Sequence, residues 1–415
     1  MNVSSALSIL LYVSFFNLNN EKYSHLGSKT PYRFFENTNV TEPKFEGCSA
    51  TKIWLLVRHG TRFPKNKQVQ EMKGLEKIRD RILKNSHLSP PITNALKQWK
   101  LAVNLSVDGD LAPEGRAEMR SLGLRMQKRF PSLFPARFSN NTYTFKSTTS
   151  ERCLESARYF AKGLFGGEEA YYDDSPESDF VLKFYNYCRK WQEDVENNPK
   201  TYEEQRLFDE DATMTALVDS FNNKLNLVHD KLLLDDIKLM TTMCAFETAW
   251  NEGKSVWCSI LPLPLLEALD FSNDLSSYYV DGYAYPITYK QACPLFKSMM
   301  QHIAGKDNPQ TTSINLSHSE TILKFLADLG LYNDGFTLKH THFKIKDRKW
   351  IESKLAPFGT NLAFVLYRCG SRKKVAVFYQ ERLIKLPKCD ELCDLSHIQK
   401  YYQENLDCQF DQMCK

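Results

Sequence analysis

An apolar run, Ile53-Trp54-Leu55-Leu56-Val57, passes without interruption into Arg58-His59-Gly60-Thr61-Arg62-Phe63-Pro64. A continuous apolar stretch this short reads as a strand buried on both faces, which belongs in a sheet covered by helices on either side. Gly60 and Pro64 then break regular structure, so two guanidiniums and one imidazole sit on a loop that leaves a buried strand. In open α/β sheets, ligands bind outside the carboxyl ends of the strands, where such a loop lies. Arginine forks match phosphate oxygens in bidentate geometry. An imidazole between them can attack phosphorus once its nitrogen is deprotonated, and Gly60 would let the backbone approach the anion. The competing reading is a surface loop with two solvated arginines.

Two further junctions weigh against that reading. Thr142–Lys146 has strand character, Ser147-Thr148-Thr149-Ser150 is a turn, and a helix follows to about Leu164 with Arg152 in its first turn. A cation there opposes the helix dipole, so Arg152 needs an anion: a phosphate on the free N–H groups, or a local carboxylate such as Glu155. A third strand at Thr312–Leu316 leads into Ser317-His318-Ser319-Glu320 and a helix that Gly330 closes. The spacing S-x-x-E is a capping box. Its chemical alternative sets His318 on a phosphate oxygen and Glu320 as the acid that protonates a leaving alcohol.

The rest of the chain fills in around these junctions. Helical patterns occupy roughly 68–84 and Pro113–Arg129, where Met119, Leu122, Met126 and Phe130 share one face. From 166 to 309 helical patterns dominate, and 361–369 with 374–379 form a hairpin around Gly370-Ser371-Arg372-Lys373. The expected fold is α/β, a mixed sheet flanked by helices. Its core comes from 19–165 plus 310–415, and 166–309 is an inserted, mainly helical lobe. Lys+Arg number 54 against 50 Asp+Glu, so no strong field draws the chain to nucleic acid or membranes, and charge for an anionic substrate must be local. His340-Thr341-His342 reads as an exposed strand without a third metal ligand. Lys65 and Lys67 fit either a second phosphate or a solvated loop.

The run from Ala6 to Phe16 is too short to span a bilayer and fits the apolar part of a signal peptide (1–18), with a buried N-terminal helix as the other reading. Sequons at Asn39, Asn104, Asn140 and Asn315, besides Asn2, accompany 11 cysteines. Four of these, Cys389, Cys393, Cys408 and Cys414, cluster near the end of the chain. The combination favours an oxidising compartment over a zinc site. The odd count leaves one thiol free, with Cys153 the candidate. No KDEL-type tail follows, so the expected location is the secretory pathway and release, with the ER lumen or lysosome as alternatives.

At this point the sequence resembles the histidine acid phosphatases, whose signature is R-H-G-x-R-x-P early and a His-Asp or His-x-Glu pair late. The likeness extends to the multiple inositol polyphosphate phosphatase branch through Arg58–Pro64, Arg152-Cys153, His318-Ser319-Glu320-Thr321, Met243-Cys244 with Phe246-Glu247 and Trp250, Trp257-Cys258-Ser259, and Asn361 through Tyr367 to Cys369. The resemblance implies a histidine phosphatase fold with His59 as nucleophile and Glu320 as proton donor. Arg58, Arg62, Arg152 and His318 would bind the phosphate, without metal or organic cofactor. It implies inositol polyphosphates up to the hexakisphosphate as substrates, with 2,3-bisphosphoglycerate also accepted. It further implies disulfides Cys48–Cys369 and Cys244–Cys258, and pairing of Cys188 with the C-terminal cysteines. This chain departs from the pattern at Phe63 for the usual Tyr, Ser319 for the usual Ala, and Ala112 for a Thr, the last a lost helix cap. Two rivals remain. A phosphoglycerate mutase shares an R-H-G loop but would carry Glu where Thr61 stands. A silent secreted polyphosphate binder would need the arginines but neither His59 nor Glu320.

Overall fold

The computed structural model of the protein describes residues 23–103, 105–167, 170–251, 254–305 and 310–415; the expected signal segment and the sequons Asn2 and Asn104 lie outside the described residues. Seven strands form one mixed sheet: β1 (Cys48–Arg58), β2 (Tyr143–Ser147), β3 (Thr312–Ser317), β4 (Asn361–Cys369), β5 (Arg372–Tyr379), β6 (Arg382–Ile384) and β7 (Cys393–Asp394). Their order is β2-β3-β1-β4-β5-β6, with β7 paired to β5. β1, β2 and β3 are mutually parallel, and β4, β5 and β6 continue antiparallel.

Period-two alternation sorts the side chains of β1 between two layers. Ile53, Leu55 and Val57 enter the core shared with the helices Pro113–Arg129 and Glu151–Phe165. Trp54 and Leu56 enter the larger core on the opposite face, where the Trp54 ring meets Phe325 and Phe364 edge-on. The Pro113 helix buries Met119, Leu122 and Met126, with Phe130 just beyond its end, and begins at Ala112 without a side-chain cap, as the departure at that position implied. It crosses the Glu151 helix at Gly123 and Gly163, where a Cβ would stand 2.4 Å from the Phe160 carbonyl and 2.2 Å from that of Arg120.

Every regular element described between Pro176 and Ala304 is helical, and these helices pack into the Trp54 face of the sheet. The helical stretch around 68–84 is two helices, Asn66–Met72 and Leu75–Asn85, parted at Lys73-Gly74. A further helix, Pro90–Gln98, opens on two prolines that suit a first turn. His340–His342 is a single 3₁₀ turn rather than a strand, because the backbone N–H and ring Nδ1 of His340 both reach the Glu204 carboxylate, at 2.7 and 2.6 Å. Among the described residues, no helix is long and apolar enough to cross a membrane.

Five disulfides are present. Cys48–Cys369 joins the ends of β1 and β4, and Cys244–Cys258 staples the helical region, both as the family resemblance implied. Cys188 pairs with Cys414, Cys293 with Cys408, and Cys389 with Cys393. The zinc alternative loses its thiolates to these bonds, including at Cys389, Cys393 and His397, a possible ligand group among the described residues. Cys153 is the free, buried thiol. Asn315 is buried in β3 and donates to the Leu55 carbonyl at 3.1 Å, so its sequon has no room for a glycan; Asn39 and Asn140 are exposed.

Candidate active site

The register of the three parallel strands assembles the site. Arg58 ends β1 beside Ser317 of β3, and Ser147 ends β2 beside Leu316. Three loops therefore leave one edge of the sheet together. Their backbones are tied at that edge, with His59 N–H donating to the Ser317 carbonyl at 3.0 Å and Thr148 N–H to that of Leu316 at 3.2 Å. The His59 and His318 rings meet edge-to-face with centroids 5.4 Å apart.

His59 is 2 % exposed, and its Nδ1 lies 2.9 Å from the Gly60 carbonyl. A carbonyl only accepts, so the proton sits on Nδ1 and Nε2 carries the free lone pair. Burial, followed by repulsion from Arg152, Arg58, His318 and Arg62, holds the ring well below its usual pKa. The imidazole therefore stays neutral, with a usable lone pair, into acidic solution.

Around it stand three guanidiniums that, among the described residues, have no carboxylate within ion-pair distance. Arg58 donates to the carbonyls of Ser28 and Ala356 and lies over the Phe358 ring at 4.5 Å. Burial pushes it down to about 10 although Glu320 and Glu352 work the other way. Arg62 donates to the Phe63 carbonyl and lies 5.6 Å over Phe246; burial and repulsion from Arg152 and Arg58 push it down to about 9. Arg152 does not pair with Glu155, which Arg116 takes at 2.9 Å. The Arg152 guanidinium instead faces His318 Nδ1 at 3.3 Å. The buried Nε atoms of Arg58 and Arg152 lack partners. Such an array is costly unless an anion completes it.

The capping-box reading of Ser317 and Glu320 fails. Ser317 Oγ bonds the Leu182 carbonyl at 2.6 Å and Thr321 Oγ1 at 2.7 Å, and His318 takes the N-cap position of the helix Ser319–Asp328 without a side-chain cap. Glu320 is left exposed to the cleft, where its carboxylate accepts from Ser319 Oγ at 3.0 Å. Crowding in the cleft would raise its carboxyl, but His318, Arg58 and Lys324 outweigh this and hold it below the usual carboxylate range. Solvent at the exposed carboxylate screens part of that pull.

Gly60 allows a close backbone contact that the sequence did not show. A Cβ there would lie 2.6 Å from the Gly115 carbonyl, and one at Gly115 would lie 2.1 Å from that of Thr61. The loop is thus pressed against the first turn of the Pro113 helix. Glu118, on the apolar face of that helix, accepts from Thr61 N–H at 2.8 Å and Thr61 Oγ1 at 3.0 Å. Sequence reasoning missed Glu118, although a carboxylate between Gly115 and Leu122 on a buried helix face was a readable signal. It also missed Lys29, which has no comparable signal. The half-buried Lys29 ammonium lies over Phe246, the ring that Arg62 also covers, and its pKa is lowered by burial, with Glu352 opposing and Arg62 and Arg58 adding to the fall. Phe63, Phe246 and Trp250 form an aromatic wall beside these cations. Lys65 is exposed at the start of the Asn66 helix, within the field of Arg152 and Arg62.

Residues 51–386 match the family described as the histidine phosphatase superfamily (branch 2). Among curated proteins, the chain is similar to multiple inositol polyphosphate phosphatase 1 of Drosophila melanogaster, 28% identical over 396 residues that cover 91% of this chain and 84% of that protein. The Homo sapiens protein of the same name is 27% identical over 439 residues, covering 94% and 88%. Among solved structures, the phytase from D. castellii has a TM-score of 0.80 at 17% identity, covering 95% of this chain and 87% of the other. The Bifidobacterium longum multiple inositol polyphosphate phosphatase in complex with inositol hexasulfate has a TM-score of 0.70 at 16% identity, covering 91% and 97%. These structural likenesses establish the fold.

Proposed function

Because the chain belongs to branch 2 of the histidine phosphatase superfamily, we propose that it is a phosphomonoesterase that hydrolyses inositol polyphosphates, up to the hexakisphosphate, through a phosphohistidine on His59. The observation that carries this reading is the neutral His59 ring, its Nε2 lone pair free, among three guanidiniums without acid partners. Relatives named for inositol polyphosphates and phytase support the substrate class, as do Lys29 and Lys65, which extend positive charge past the arginines toward the non-reacting phosphates.

In the first step His59 Nε2 forms a bond to phosphorus as the bond to the leaving oxygen breaks, and the Glu320 carboxyl gives that oxygen its proton. Arg58, Arg62, Arg152 and His318 hold the three remaining oxygens and stabilise the charge of the transition state. In the second step water attacks phosphorus, Glu320 takes its proton, and the P–N bond breaks to release phosphate. Neighbouring cations hold the Glu320 carboxyl low. A phosphate dianion offsets those cations and raises it, so the substrate favours the protonated acid that it needs. A free His59 base and a proton on Glu320 both suit acidic solution. The disulfides, with the apolar run from Ala6 to Phe16, support the reading that it acts in the secretory pathway.

Phosphate release from inositol hexakisphosphate, in excess chelator and from acid to neutral pH, tests the reading with wild type and His59→Ala. Release that vanishes in the variant, with labelled phosphate trapped on His59, is expected. A folded wild type inert toward both this substrate and 2,3-bisphosphoglycerate would leave the polyphosphate binder in its place.

A further inference from the structure

The phosphate-facing imidazole of His318 is held from behind by a hydroxyl. His318 Nε2 lies 3.1 Å from Thr148 Oγ1, while its Nδ1 lies 3.3 Å from an Arg152 nitrogen. A guanidinium donates and never accepts. In this arrangement Nδ1 is therefore the acceptor, and the ring proton is on Nε2, pointing at Thr148. To donate to a phosphate oxygen, Nδ1 must carry a proton. It gains one either because the ring takes a second proton, with Nε2–H still donating to Thr148, or because the neutral ring changes tautomer and Thr148 donates to Nε2. A hydroxyl serves both states by rotating; a carboxylate, which only accepts, would fix one of them.

Thr148 is well placed for this. It is fully buried, its backbone is pinned to Leu316, and the next residue is clamped, since Asp179 accepts from Thr149 N–H at 2.8 Å and Thr149 Oγ1 at 3.0 Å. Lys183 closes the turn by donating to Ser150 Oγ at 3.0 Å, and Ser150 Oγ is itself 3.5 Å from His318 Nε2. Asp179 belongs to the helix Pro176–Leu182 and Lys183 follows it, so the helical segment after β2 braces the phosphate-binding histidine. The charged and titratable groups facing His318 are Arg152, Lys183, Arg58, Glu320, His59 and the buried Cys153 thiol, whose Sγ is 3.7 Å from Nε2. Burial and the cations favour the neutral ring, and Glu320 opposes them.

We propose that Thr148 is a positioning residue whose hydroxyl sets which nitrogen of His318 carries the proton and lets that assignment change when phosphate binds. The proposal rests on the phosphatase reading but not on the inositol substrate, so p-nitrophenyl phosphate is the probe for kinetics. Its activated leaving group also removes most of the demand on Glu320. The expected result is that Thr148→Val lowers kcat/KM by about tenfold or more. Thr148→Ser, which keeps the hydroxyl, should stay within about threefold of wild type. Thr148→Asp should move the alkaline limb of the pH profile upward, because a carboxylate behind the ring holds it as a cation. Equal losses for Val and Ser, or unmoved limbs in all three, would overturn it. Should the Val variant fail to fold, ¹⁵N spectra of histidine-labelled wild type still decide. Saturation with inorganic phosphate should move the proton signature of His318, assigned with His318→Gln, from Nε2 alone to include Nδ1; unchanged ring resonances would sink the proposal. A wild type inert toward any phosphomonoester removes the reading and the proposal together.

Discussion

Two arginine clusters in this molecule answer the problem of burying guanidinium in opposite ways. Arg125 and Arg129, on the Pro113 helix, converge on Glu381, whose side chain has no exposed surface and accepts from both at 2.8–3.1 Å; Tyr32 adds a hydrogen bond at 2.9 Å and Glu36 a second carboxylate. Arg58, Arg62 and Arg152 share no such acid; burial and the neighbouring guanidiniums push the pKa values of Arg58 and Arg62 down, and the Nε atoms of Arg58 and Arg152 lack partners. The first cluster is complete in the folded chain and contributes to holding it. The second is complete only with an anion present. Glu381 even occupies a left-handed turn beside Gln380, at φ +64° and +46°, a conformation costing roughly 1–2 kcal/mol per residue that the ion cluster offsets. Buried arginine is thus uninformative until its acid is found or found missing.

The sharpest test concerns Glu320, an acid near Arg58 and Arg62 that neither holds in an ion pair. Glu320→Gln is expected to lower kcat toward inositol hexakisphosphate by about 10²–10⁴ while substrate binding changes far less. Comparable losses in both would remove Glu320 from proton transfer. Next in size is the complete cluster. Glu381→Gln should destabilise the fold by about 3–5 kcal/mol, read by denaturant titration, with little loss of turnover per folded molecule. Arg152→Ala should show the mirror image, a fall in kcat/KM of about 10²–10³ with an unchanged or raised melting temperature, because it relieves repulsion. A melting temperature that drops sharply would make the two clusters alike.

The smallest expected effect lies between the clusters, at Glu118. Burial raises its carboxyl to about 7, against the Thr61 hydrogen bonds that lower it. A carboxyl whose folded pKa lies above its unfolded value holds its proton more tightly when folded. Its contribution to stability is therefore fully present below about 4.5 and is lost as pH rises toward about 7. Glu118→Gln should flatten stability across that window by no more than about 3 kcal/mol. An unchanged slope would show that Glu118 is already ionised in the fold.

How much was legible differs by element. The strands at 53–57 and 312–316, the Pro113–Arg129 helix and the β4–β5 hairpin were readable because apolar period, breakers and turn residues act over a few positions. All six candidate site residues lie at the three strand-end junctions that the sequence marked, on the last residue of a strand, on the loop beyond it or in the first turn of the next helix. The Pro90 helix went unread despite its prolines, and the split at Gly74 was hidden by a helical period that continued through it. His340–His342 took a turn because its partner, Glu204, is far away in sequence.

The amino-acid order by itself determined the chemistry at each junction: Arg and His beyond β1, an arginine at a helix start beyond β2, and a histidine with a nearby acid beyond β3. Only the tertiary structure decided that β3 inserts between β1 and β2, so that the three junctions meet. It also decided that Glu155 goes to Arg116 rather than Arg152, that Ser317 bonds Leu182 instead of capping, and that Gly60 makes room for Gly115. The physical reason is range. Backbone preference and apolar period are set within a turn or a strand, whereas the partner of a charge or hydroxyl is chosen by whatever the packed chain brings within about 3 Å.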